Sequence, residues 1–234
     1  CVRTTPSVKS VVNITTDKVY ENKEWEWGYR ENDPLDGFDP YSNSKSCSEL
    51  VTHSYKKSFL DEKGIAVSTA RAGNVIGGGD WALDRIIPDC IRAIEADKTI
   101  EIRSPKAIRP WQHVLEPLGG YMLLASKMWD EPTKYCEGWN FGPRTESIAN
   151  VWDVATKLIR NYGKGELKDV SDPNALHEAK LLMLDINKAH FKLGWEPRMN
   201  IDQCMSMVAD WYKRYKSEDV YNLCVDQINK YVGA

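Results

Sequence analysis

Val8-Lys9-Ser10-Val11-Val12-Asn13-Ile14 runs directly into Thr15-Thr16-Asp17-Lys18, so a short β-branched segment ends in two hydroxyls, a carboxyl and an amine. Val8–Ile14 reads as a buried parallel strand. A polar cluster at the C-terminal end of such a strand lies where an open α/β sheet receives its ligand. A Trp-, Gly- and Pro-rich excursion follows over 24–40, then a helical pattern over 41–60 with Ser42, Ser44, Ser46 and Cys47 near its start. The run 64–70 reads as a second buried strand, ending in a loop over 71–80. Two periods alternate along the chain, which predicts an α/β layered protein.

Beyond Gly77-Gly78-Gly79 the pattern predicts a helix over 85–96, a strand over 99–102, a helix over 117–128 and a strand over 138–142. Ser147 is the expected N-cap of a further helix through Tyr162. Ile201, Cys204, Met205, Val208, Trp211, Tyr212 and Tyr215 fall on one face of a last helix.

The chain has 234 residues, 42% hydrophobic, enough for one core or a core plus a small lobe. Lys+Arg 31 against Asp+Glu 34 gives a net charge of −3. No basic face is implied, so nucleic acid is excluded as a main partner. Apolar runs such as Tyr121–Ala125 are too short to span a bilayer, and no charged-then-apolar leader opens the chain. The expectation is a cytoplasmic protein with no membrane partner. The six cysteines at 1, 47, 90, 136, 204 and 224 form no CxxC and have no paired histidines. That fits neither a zinc site nor a dense disulfide framework, and suits a reducing compartment. Only a few residues precede the first strand, as if the chain opened inside a fold.

Tyr-x-x-x-Lys occurs at Tyr41/Lys45 and again at Tyr212/Lys216. In a helix this spacing puts phenol and ammonium on one face, so the cation can lower the phenol pKa. The second pair belongs to the amphipathic C-terminal helix, where packing explains it. The first pair follows a strand and a turn bearing acid, base and hydroxyl, and that context marks it as functional.

Ile14-Thr15-Thr16-Asp17-Lys18-Val19-Tyr20, Trp27-Gly28-Tyr29-Arg30-Glu31-Asn32-Asp33-Pro34-Leu35 and Asp39-Pro40-Tyr41-Ser42-Asn43-Ser44-Lys45 together resemble the extended short-chain dehydrogenase/reductase superfamily. More narrowly they resemble its CDP-glucose 4,6-dehydratase family. Ala70-Arg71-Ala72-Gly73-Asn74-Val75-Ile76-Gly77-Gly78-Gly79-Asp80-Trp81, Ile108-Arg109-Pro110-Trp111-Gln112-His113-Val114, Leu184-Asp185-Ile186-Asn187-Lys188-Ala189 and Leu193-Gly194-Trp195-Glu196-Pro197 agree. The family opens with a glycine-rich GxxGxxG turn for the NAD pyrophosphate, and no such spacing occurs in these residues. The resemblance therefore covers the C-terminal two-thirds of such an enzyme.

The implied fold is a partial Rossmann-type, doubly wound parallel sheet with a smaller substrate-binding lobe. Residues 1–80 are expected in the NAD-binding domain. Residues 81–234 are expected mainly in the sugar-nucleotide lobe, with some segments returning. The resemblance implies NAD as cofactor, a nucleotide-sugar substrate and a homodimer or higher homo-oligomer. It assigns Tyr41 as base for the C4 hydroxyl, Lys45 to the nicotinamide ribose, and Thr16 to the same C4 hydroxyl. Asp17 becomes the acid for the leaving C6 hydroxyl and Lys18 the base at C5; Thr15 joins the cofactor contacts. Asn74 and Arg109 are the main substrate contacts, with Arg109 on the pyrophosphate, and Arg85 and His177 are further candidates. An epimerase or another dehydratase of the superfamily, or a non-catalytic sugar-nucleotide-binding module, are the alternatives.

Overall fold

The computed structural model describes residues 1–172 and 181–233. In chain order its elements are β1 (Ser10–Ile14), α1 (Pro40–Tyr55), β2 (Ala66–Ala72), β3 (Val75–Ile76), α2 (Ile86–Glu95), β4 (Ile100–Ile102), β5 (Ile108–Arg109), β6 (Gln112–His113) and α3 (Leu115–Asp130). They continue as β7 (Gly138–Phe141), β8 (Ala149–Asn150), α4 (Val151–Tyr162), β9 (Leu167–Asp169), α5 (Ile201–Arg214) and α6 (Val220–Val232). Two compact units result. The first comprises Cys1–Gly73, Glu116–Gly142 and Leu182–Glu196; the second comprises Asn74–Leu115, Pro143–Leu181 and Pro197–Ala234.

The first unit is built on a parallel sheet in the order β1-β2-β7, with Val12 opposite Ser68 and Ala70 opposite Trp139. Every residue of the central β2 is buried. β1 departs from expectation. It starts at Ser10 rather than Val8 and is only half-buried, with Ile14 exposed, because among the described residues it pairs with β2 alone. Side chains alternate between the two faces of the sheet. Ser10 and Ser68 reach the side of α3, donating to Ala125 O at 3.1 Å and Tyr135 O at 2.6 Å. Asn13 faces α1, donating to Ser48 at 3.0 Å and Thr52 at 2.7 Å.

α1 starts at Pro40, whose missing N–H costs nothing in a first turn, and Asp39 caps it by accepting from Ser42 N at 3.0 Å. A wide turn over Lys56–Leu60 prolongs it to the expected end.

The second unit packs α2, α4 and α5 around a core that includes Ile91, Ile94, Leu158, Met205 and Val208. Short strand pairs edge it: β3 with β6 and β4 with β9 in parallel, β5 with β8 antiparallel. A reciprocal capping box between Asn200 and Gln203 starts α5. Its expected apolar face is buried from Ile201 to Tyr212, and Tyr215 is half-buried.

Two further features differ from the sequence reading. Asn150, not Ser147, caps α4, accepting from Asp153 N at 2.8 Å. The backbone at Ile148 is extended and leads into β8, so the helix cannot start until that strand has ended. α6 was not foreseen; it buries only Leu223 and Gln227, too few for an apolar period. The passage between units comes after Gly73. The triple glycine belongs wholly to the second unit, where a Cβ on Gly78 would lie 2.0 Å from the Trp211 ring and Tyr212 donates to Asp80 O at 2.7 Å.

Candidate active site

β1 is prolonged by one residue when Thr15 N donates to Ala70 O at 2.8 Å. Thr16 then caps the single turn Asp17–Val19, its hydroxyl accepting from Lys18 N at 3.4 Å and donating to Asp17 Oδ1 at 3.0 Å. The turn separates its two ionisable side chains: Asp17 is only 2% exposed, whereas Lys18 is exposed. The Asp17 carboxyl rests on the backbone of Gly73, where a Cβ would stand 1.9 Å from Oδ2. No side chain fits at residue 73 with Asp17 in this position.

α1 docks on this turn through polar groups. Ser46 donates to Val19 O at 2.8 Å and accepts from Gly37 N at 3.0 Å, and Thr15 donates to Glu49 at 2.5 Å. With the Asn13 bonds these contacts form a polar seam along one helix face. Tyr41 (54% exposed) and half-buried Lys45 flank that face. Asp39, at the helix start, is held below the usual carboxylate range by hydrogen bonds from Ser42, with a further contribution from the charge of Lys18. Thr16, Asp17 and Lys18 are thus brought to the start of the helix that bears Tyr41 and Lys45. The Thr15 hydroxyl is directed inward, to Glu49 and, at 3.4 Å, to Ala70 O.

Behind the turn lies a buried network absent from the sequence reading. Arg71 forks onto Glu49, Nε to Oε1 at 2.8 Å and Nη2 to Oε2 at 3.0 Å. Its Nη1 donates to the Tyr20 hydroxyl at 2.8 Å and to Glu31 O at 3.1 Å. Tyr20 donates onward to Asn140 Oδ1 at 2.7 Å, and Asn140 Nδ2 donates to Tyr29 O at 2.8 Å. Burial pushes the Glu49 carboxyl up, but Arg71, Thr15 and Thr69 outweigh it and hold the group below its ordinary range. Burial raises the Tyr20 phenol strongly, so Tyr20 serves as a neutral hydroxyl. One signal was available: Arg71 is a charge inside the otherwise uncharged strand segment Ala66–Ala72, and a buried charge requires a partner.

The remaining candidates belong to the second unit. Asn74 adopts a left-handed backbone (φ 43), which Asn tolerates better than most residues, and its carbonyl accepts from Gln112 N at 3.3 Å. Arg109 is buried at the end of β5, with Nη1 donating to Ile108 O at 2.8 Å. Arg85 precedes α2 with an exposed side chain 4.0 Å from Asp80. His177 lies outside the described residues. Tyr212 is buried and Lys216 pairs with Glu95 at 2.8 Å, so the second Tyr-x-x-x-Lys pair is structural. Among the described residues no cluster of His, Cys, Asp and Glu could hold a metal ion, and no helix is long and apolar enough to cross a membrane.

Residues 1–208 match the family described as GDP-mannose 4,6 dehydratase. The chain is 44% identical over 239 residues to CDP-glucose 4,6-dehydratase of Salmonella typhimurium, covering 100% of this chain and 67% of that protein. It is 27% identical over 205 residues to dTDP-glucose 4,6-dehydratase of Streptomyces antibioticus, covering 86% and 57%. Among solved structures, dTDP-glucose 4,6-dehydratase of Bacillus anthracis in complex with NAD superposes with a TM-score of 0.74 at 21% identity, covering 90% of this chain and 63% of that one. UDP-glucose 4-epimerase of Thermotoga maritima with UDP-glucose gives 0.76 at 17% identity, covering 90% and 65%. These likenesses establish the Rossmann-type α/β fold. The chain spans 57% to 67% of the length of these four relatives.

Two residues past Trp111, His113 is buried, and burial lowers its pKa to about 4. Nδ1 accepts from Leu115 N at 3.3 Å, so the neutral ring carries its proton on Nε2, which has no hydrogen-bond partner among the described residues. A free histidine titrates near 6.5, so between about pH 6.5 and 4 the unfolded chain binds the extra proton and the folded chain does not. Stability from this group is complete above that window and declines as the pH falls through it. Urea unfolding should show His113→Gln losing about 2–3 kcal/mol less than the parent between pH 7 and 4.5. Equal losses in both proteins would contradict a neutral, buried His113.

Proposed function

The chain belongs to the family described as GDP-mannose 4,6 dehydratase, and on that premise we propose that it carries the catalytic part of an NAD-dependent sugar-nucleotide 4,6-dehydratase acting on CDP-glucose. The observation that carries this reading is the Thr16-Asp17-Lys18 turn seated against the helix of Tyr41 and Lys45. The identity of 44% with a CDP-glucose 4,6-dehydratase over the whole chain supports the choice of nucleotide. In the reaction C4 of the hexose is oxidised to a ketone, water leaves across C5–C6, and C6 is reduced, giving CDP-4-keto-6-deoxyglucose.

The donor set fits one end of the cofactor. A phenol and an ammonium one helical turn apart, beyond the C-terminal end of a parallel strand, match a nicotinamide ribose and an oxidisable carbinol. The pyrophosphate calls for a glycine-rich turn at a helix N-terminus, and no GxxGxxG occurs in the 234 residues. Bound NAD would supply a reversible two-electron acceptor.

The protein's own groups move the protons. Tyr41 Oη takes the proton of the C4 hydroxyl, with Lys45 stabilising the phenolate and Thr16 Oγ1 orienting the same hydroxyl. The C4 ketone acidifies C5, where Lys18 Nζ removes the proton. Asp17 gives a proton to the departing C6 hydroxyl; its burial keeps bulk water from the carboxyl. Asn74 and Arg109 hold the sugar nucleotide, Arg109 through charge-assisted bonds to the pyrophosphate, and Arg85 and His177 are further contacts. Residues 1–73 with their returning segments serve the cofactor, and the second unit serves the substrate. The enzyme acts in the cytoplasm.

α1 buries Ser42, Ser46 and Glu49 while exposing Leu50, Val51 and Tyr55, the reverse of a helix packed only on its own sheet. A second copy of this helix is the proposed cover, giving a homodimer. Sedimentation of the full-length protein at micromolar concentration should show a dimer that Leu50→Glu with Val51→Glu converts to monomer; a monomeric parent would defeat the idea.

Lys18→Met in the full-length enzyme should leave C4 oxidation intact and block elimination. Bound 4-ketohexose then accumulates, solvent deuterium fails to enter C5, and turnover drops by roughly 10²–10⁴-fold. Tyr41→Phe should instead suppress oxidation, with little ketone formed. Near-normal turnover and C5 exchange in Lys18→Met would reduce the lysine to a turn residue.

A further inference from the structure

A bidentate ion pair inside a helix–sheet seam is a poor device for stability alone. Removing two charges from water costs several kcal/mol per ion, and well-packed apolar groups of similar volume often do as well or better. Glu49 and Arg71 are nevertheless both buried and fork-paired, and beyond a bond from Arg71 Nη1 to Glu31 O and one from Thr69 to Glu49 their other bonds lead to the elements around the candidate site. Glu49 Oε1 accepts from Thr15, the residue immediately before Thr16 and Asp17. Glu49 itself stands one helical turn beyond Lys45 and two beyond Tyr41 on α1. Arg71 lies two residues before Gly73, the seat of Asp17, and its Nη1 bonds tie in Tyr20, three residues past Asp17. One carboxylate–guanidinium pair therefore touches the strand end before the turn, the chain after it, the helix and the strand that leads to Gly73.

We propose that Glu49 and Arg71 are positioning residues, which fix the Thr16-Asp17-Lys18 turn at a set distance from Tyr41 and Lys45 by holding the Thr15 hydroxyl and the Tyr20 hydroxyl from behind. The planar fork allows one orientation of the carboxylate, and the Thr15 bond transmits it to the turn. Apolar residues would fill the same space yet leave the turn free to slide along the helix. This inference rests on the dehydratase reading, in which four groups, Thr16, Asp17, Lys18 and Tyr41, must meet one sugar ring while Lys45 stands beside Tyr41 on the nicotinamide ribose. A displacement of about 1 Å in such a constellation costs on the order of 100-fold in rate.

The test uses the full-length protein with Thr15→Val, which keeps shape and removes only the hydroxyl link, and Glu49→Gln, which keeps shape and weakens the fork. Thr15→Val should lower kcat for dehydration of CDP-glucose by about 10-fold and Glu49→Gln by about 100-fold, with KM for sugar nucleotide and for NAD within about threefold of the parent. Both variants act on one Thr15–Glu49–Arg71 chain, so the double variant should be no slower than Glu49→Gln alone. Without substrate, the amides of Lys18 and Val19 should exchange with solvent roughly tenfold faster in Thr15→Val, while those in the β2–β7 ladder keep their rates. The exchange arm stands even if Glu49→Gln does not fold, and it needs no activity. A raised KM for NAD with unchanged kcat would make Thr15 a cofactor contact and overturn the proposal, as would unchanged exchange at Lys18 and Val19 or multiplicative effects in the double variant. A parent that converts no nucleotide hexose would defeat the dehydratase reading, leaving the exchange arm to decide whether the pair positions the turn.

Discussion

The fork between Glu49 and Arg71 is the constraint on which the first unit depends. A charge next to the last residue of the fully buried β2 is tolerable only because a carboxylate on α1 meets it with matched geometry. Once that pair is fixed, the angular setting of the helix follows, and the rest of the seam falls into register: Ser46 on Val19, Thr15 on Glu49, Asn13 on Ser48 and Thr52. The helix runs antiparallel to β1, so the polar contacts descend along it as the strand is followed backwards. This docking is specified by hydrogen bonds more than by apolar volume, and such bonds define orientation where apolar packing tolerates sliding.

That choice explains which parts of the fold were legible. α5 was readable residue by residue because its buried face is apolar and periodic, and β2 because its run is short and lies between turn signals. α1 was located through its motif and its length, yet its buried face of Ser42, Ser46 and Glu49 carries no hydrophobic period. The helix start at Asn150 was obscured because β8 intervenes after Ser147, a pairing with β5 some forty residues away in sequence that local signals cannot reveal. α6 buries too little for its period to stand out.

Legibility of the site follows the same division. The Thr16-Asp17-Lys18 turn and the Tyr41/Lys45 spacing lie in continuous sequence, and family resemblance marks them directly. Glu49, Tyr20, Arg71 and Asn140 come together only in three dimensions, from a helix, a loop and two strands. Gly73 is a further case. Its lack of a side chain reads as an ordinary loop glycine until the Asp17 carboxyl is found where a Cβ would be. Residues that touch reactants tend to sit in motifs, whereas those that hold them in place are dispersed along the chain.

The central claim is that this turn and helix carry out an internally redox-neutral dehydration, in which the hydrogen taken from C4 is returned at C6. Incubating the full-length protein with NAD and CDP-glucose carrying deuterium at C4, and locating the label in the product by NMR, tests it most directly. The account predicts a 4-keto-6-deoxy product with the deuterium in its C6 methyl group. Deuterium still at C4 of an inverted hexose would mark an epimerase and contradict it.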